Sequence, residues 1–102
     1  MSPLETRLAG LAAAGQTMTY GALARDLGWR IGALTAALEA LMEVDFAAGR
    51  PLRAALCEGR LSHGLPAPGF FQRAVGLGCR IDDAEAFVAA TRTQLFRDHA
   101  PD

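Results

Sequence analysis

The sequence contains no lysine, so all ten of its basic side chains are Arg. Against eleven acids they leave a formal charge of −1, and no overall basic balance pulls the chain toward polyanions. Lysine's absence beside many Ala, Gly and Arg reads as coding bias rather than chemistry. There are two cysteines, Cys57 and Cys79, too few for a disulfide framework. With His63 and His99 they form no zinc-ligand spacing, so no metal or cofactor is expected. They read as reduced thiols acting as small hydrophobes. No apolar run approaches the roughly 20 residues that span a bilayer. MSPLETRL has no basic stretch leading into an apolar one, which argues against a secretory leader. A cytoplasmic location without membrane contact is expected.

What is present is an ordinary globular composition. The chain has 102 residues, 51% hydrophobic and 21% charged, which excludes a disordered chain and fits one domain over 1–102.

Local signals divide the chain clearly. Ser2-Pro3-Leu4-Glu5 is a capping box with Pro at the first helical position. Leu4, Leu8 and Leu11 then share a face, and Gly15 suits the helix end. Thr19 is placed to cap a short helix from Tyr20 to Leu27, which Gly28 ends. After the tight Gly28-Trp29-Arg30 turn, Ile31, Leu34, Leu38, Leu41, Met42 and Phe46 recur at helical spacing up to Gly49. The predicted core contains Leu8, Leu23, Leu34, Leu38 and Leu41.

From Arg50 to Cys57, Leu52, Ala54 and Leu56 alternate as in a strand. Glu58-Gly59-Arg60 predicts a turn, and Leu61 to Leu65 a returning strand, weakened by Gly64. Pro66, Pro68 and Gly69 introduce a helix carrying Phe70, Phe71, Ala74, Val75 and Leu77. Asp82 and Glu85 have capping-box spacing ahead of a last helix that buries Ala84, Phe87, Val88, Thr91 and Leu95.

A short helix, a Gly-containing turn and a longer helix make a helix-turn-helix. With the hairpin, the expected fold is α+β: a winged helix-turn-helix with two additional C-terminal helices. Its core spans 2–66 and its helical extension 67–100.

Two family resemblances follow. Thr19-Tyr20-Gly21-Ala22-Leu23-Ala24 is similar to the start of the second helix in winged-helix domains, including that of the O6-alkylguanine transferases. Arg30, Gly32, Ala33 and Ala36 are loosely similar to the opening of their third helix, which enters the minor groove. Their Pro-Cys-His-Arg reactive motif is absent, and Cys57 stands in Leu56-Cys57-Glu58, so alkyl transfer is not implied. Residues 20–78 also resemble small uncharacterised bacterial winged-helix proteins. The resemblance lies in Arg50-Pro51-Leu52-Arg53-Ala54-Ala55-Leu56, Gly64-Leu65-Pro66-Ala67-Pro68-Gly69-Phe70-Phe71 and Leu77-Gly78. It implies a family fold and no known activity.

Charge is uneven along the chain. Residues 1–49 carry three Arg against five acids, residues 50–80 five Arg against one acid, and residues 81–102 two Arg against five acids. The expected wing is therefore basic, and guanidinium groups suit phosphate. One reading is a nucleic-acid contact through Arg30, Thr35, Arg50, Arg53 and Arg60. The plain alternative is a solvated scatter of Arg, because clustering in sequence need not be clustering in space. The third helix offers few base-reading side chains, and Glu39, Glu43 and Asp45 would repel phosphates.

The other reading is a protein-binding module. Trp29 is either an exposed anchor or a cap on the core edge. Gly32, Ala36 and Ala40 form a small-residue stripe, and Phe96 lies beside the apolar stripe of the last helix. These suggest a homodimer. Ser62 and His63 would point to opposite faces of a strand and make no nucleophile–base pair. No catalytic site and no small-molecule substrate are expected.

Overall fold

In the computed structural model the described residues are 1–100. They form α1 (Pro3–Ala14), β1 (Met18–Thr19), α2 (Tyr20–Leu27), α3 (Ile31–Ala47), a 3₁₀ turn (Arg53–Leu56), β2 (Cys57–Glu58), α4 (Pro68–Leu77) and α5 (Ala84–Asp98). The helix starts follow the local code. The Ser2 hydroxyl accepts the Glu5 N–H while the Glu5 carboxylate accepts the Ser2 N–H, completing the capping box. The Thr19 hydroxyl accepts the Ala22 N–H. The last cap falls one residue later than its sequence pattern, since Asp83 accepts from Ala86. Gly15 and Gly28 end their helices in left-handed conformation (φ 65° and 69°), which glycine adopts without a Cβ clash.

The wing is absent among the described residues, which corrects the winged-helix expectation. The described residues are mostly helical, and the sheet among them pairs β1 with β2 in parallel, Met18 opposite Cys57 and Thr19 opposite Glu58. The cause lies in residues 52–57. Their apolar alternation suited a half-exposed strand, yet Ala54, Ala55, Leu56 and Cys57 are all buried in succession. With no solvent face to alternate with, the segment runs through the centre as a 3₁₀ turn packed by α1, α3 and α5. The expected return strand, Leu61–Leu65, is a chain of turns. Ser62 N–H donates to the Gly59 carbonyl, Leu65 N–H to the Ser62 carbonyl and Gly59 N–H to the Leu65 carbonyl. His63 and Gly64 turn the backbone at φ 51° and 83°.

The core joins Leu4, Leu8 and Leu11 of α1 to Leu23, Leu34, Leu38 and Met42, to Leu56 at the centre, and to Phe70, Val88 and Leu95. Four of the five predicted core leucines are buried, and Leu41 is half-buried. Two polar clasps hold the central segment. Asp45, fully buried on α3, accepts the Arg53 N–H at 3.0 Å and the Arg53 guanidinium at 2.9–3.1 Å. Arg53 also reaches Glu5 on α1 at 3.0 Å. From the other side Arg92 of α5 donates to the Ala55 carbonyl at 2.7 Å. No helix among the described residues is long and apolar enough to cross a membrane.

Candidate functional site

Ion pairing sorts the arginines into occupied and available ones. Arg53 is occupied: its side chain is 15% exposed and engaged by Asp45 and Glu5. These carboxylates hold the guanidinium charged, with its pKa raised above the usual arginine value, first through the Asp45 hydrogen bonds. Glu5 is held below the ordinary glutamate value, first by the Ser2 N–H and then by Arg53. Arg50 lies 3.4 Å from the same Asp45 carboxylate. Arg7 pairs with Asp26, Arg73 with Glu43 and Arg80 with Asp82. Arg92 is tied to Ala55, and burial lowers its pKa. The sequence cluster Arg50/Arg53 is thus a clasp within the fold rather than a free basic patch.

Arg25, Arg30, Arg60 and Arg97 have no carboxylate partner among the described residues. Two of them meet. Arg25 and Arg60, 35 residues apart in sequence, line one cleft of about 450 Å³ together with Thr19, Tyr20, Gly21 and Ile31. No carboxylate among the described residues lines it. The Arg25 guanidinium lies over Gly21, one turn back on α2, where a Cβ would come within 3.7 Å of it. Arg60 arrives from the turn after β2, the segment expected to join the two strands of the wing.

The end of α3 forms one edge of this cleft through Ile31. Arg30 is its N-cap, exposed and one residue away, and it provides no side-chain cap. The first N–H groups of α3 therefore have no side-chain acceptor, and Gly32 leaves open space around its backbone. Unsatisfied N–H groups and the helix dipole both favour an anion at such an end.

No protein-family model, curated protein or solved structure matches the chain.

The remaining residues singled out from sequence are dispersed. Thr35 is exposed on α3, and its hydroxyl donates to the Ile31 carbonyl at 3.0 Å. Ala36 is exposed on the same helix. Trp29 and Phe96 are half-buried against the core, so neither is a freely exposed anchor. Arg25 is the cleft residue that sequence reasoning passed over. Its available signal was Gly21 four residues earlier on α2, but only tertiary structure brings Arg60 to the same cleft.

The thiols do not form a site. Cys57 is buried, and burial pushes its pKa up to about 12, which keeps it protonated near neutral pH. Among the described residues no group of three His, Cys, Asp or Glu is placed to hold a metal.

Proposed function

We propose that this chain is a non-catalytic binding protein for the phosphate backbone of nucleic acid, acting through the Arg25–Arg60 cleft. The observation that carries the reading is that two arginines without carboxylate partners among the described residues line one cleft, and that no described carboxylate lines it. Arg30 and the uncapped start of α3 extend the positive edge. Guanidinium groups bind phosphate bidentately, and helix N–H groups donate to the same anion. Position along a backbone, rather than base sequence, is what these groups read.

Binding to a labelled duplex is expected to weaken steeply with salt. Three phosphate contacts give a slope of log K on log salt of about −3, since each contributes about −0.9. Replacing Arg25 and Arg60 together with Ala should bring that slope to about −1. Arg53→Ala should lower thermal stability without changing the slope of the folded fraction. Binding indifferent to salt, or none at low ionic strength, removes the reading.

A second reading is self-association. Val44, Phe46 and Val75 are large apolar side chains left 51%, 40% and 56% exposed, and the Phe46 ring lies against Gly78. Low net charge favours association, and a two-fold dimer is the commonest closed form. Sedimentation equilibrium is expected to give twice the 10.8 kDa chain mass, reduced by Val75→Glu. A single species at the chain mass ends this reading.

A further inference from the structure

We infer that a recess between α3 and the start of α4 binds a short branched aliphatic ammonium compound. This inference is independent of the nucleic-acid reading. The recess is about 110 Å³, somewhat smaller than the roughly 150 Å³ cavity that accepts benzene in an engineered protein. Its walls include Leu38, Met42, Ala54, Phe70 and the Tyr20 ring. Such walls reward an apolar body and offer little to bound water.

Its polar groups are mainly acceptors. Glu39 is exposed on α3 and has no cationic partner among the described residues. The Thr35 hydroxyl spends its proton on the Ile31 carbonyl, leaving its oxygen to accept. The Tyr20 hydroxyl accepts the Ala67 N–H at 3.1 Å, has a second lone pair and keeps its own proton to donate, so the net preference for a cation rests on Glu39. A carboxylate and hydroxyl oxygens around an apolar floor select a cation with a compact hydrocarbon tail. They disfavour a carboxylate ligand of the same shape through like-charge repulsion at Glu39.

The test uses isoamylammonium, isoamyl alcohol and isovalerate as probes, which share an isobutyl group ending in CH2NH3+, CH2OH or COO−. Methyl resonances of Met42 and Leu38 report occupancy by NMR. Isoamylammonium should shift them saturably with a dissociation constant on the order of 1 mM. It should bind about threefold tighter than the alcohol, the usual worth of an exposed ion pair, and isovalerate should bind most weakly. Glu39→Gln should erase the amine's advantage while leaving alcohol binding in place. Thr35→Trp, at an exposed α3 position, should block all three probes. Gly69→Leu is a second block at an open position in the first turn of α4. Thermal unfolding of each variant establishes that it is folded. The inference is overturned by the absence of saturable shifts with any probe. It is equally overturned by shifts that survive in a folded blocking variant, or by an amine preference that persists in Glu39→Gln.

Discussion

Asp45→Ala is expected to cost roughly 3–5 kcal/mol of folding stability, the usual loss when one partner of a buried ion pair is removed. Asp45 is fully buried, and it is the acceptor for both the Arg53 backbone N–H and the Arg53 guanidinium. Truncation leaves that N–H without its acceptor and the mostly buried guanidinium with only Glu5. The central 3₁₀ turn then loses the contact that fixes its first residue on α3. Asp45→Asn keeps the shape and part of the hydrogen bonding, so its loss should be smaller. Urea unfolding followed by circular dichroism measures both. A cost below about 1 kcal/mol for the Ala variant, the scale of an exposed pair, would show that the clasp does not hold this segment.

Leu34→Ala should cost about 2–5 kcal/mol, as truncation of a buried Leu does, through lost apolar burial and the cavity left behind. Leu34 is fully buried on α3, among residues contributed by several other helices. Val44→Ala on the same helix is the control. With 51% exposure its change should stay within about 0.5 kcal/mol. Equal losses at the two positions would mean that the buried face of α3 is wrongly phased.

Much of the helical framework was legible because its signals are local. Ser2 with Glu5, Thr19, Gly15 and Gly28 act on backbone groups within one turn of themselves. The leucine spacing of α3 marked Leu34 and Leu38 as buried, although its outer members Ile31 and Phe46 are exposed. Residues 50–65 were illegible for the opposite reason. Alternating Leu52, Ala54 and Leu56 report burial against solvent only where one face is wet, and here Ala54, Ala55, Leu56 and Cys57 are buried in succession. Ala and Leu also suit a tight helical turn, which leaves the period undetermined over so short a stretch.

The candidate site separates along the same line. The excess of arginine over residues 50–80 was visible in sequence, but the fate of each charge was not. Arg53 is neutralised by Asp45 and Glu5, the latter 48 residues away, whereas Arg60 and Arg25 line one cleft with no carboxylate among its described residues.

By itself the sequence determined most of the helix starts and ends and most of the inward leucines, because capping, glycine conformation and apolar periodicity act over a few residues. Tertiary structure alone decided that β1 and β2 pair in parallel, that Arg53 becomes a buried clasp and that Arg25 and Arg60 share a cleft. Those outcomes depend on which distant segments enclose the central turn. A charge or a strand-like run acquires its role only from the partner packed against it.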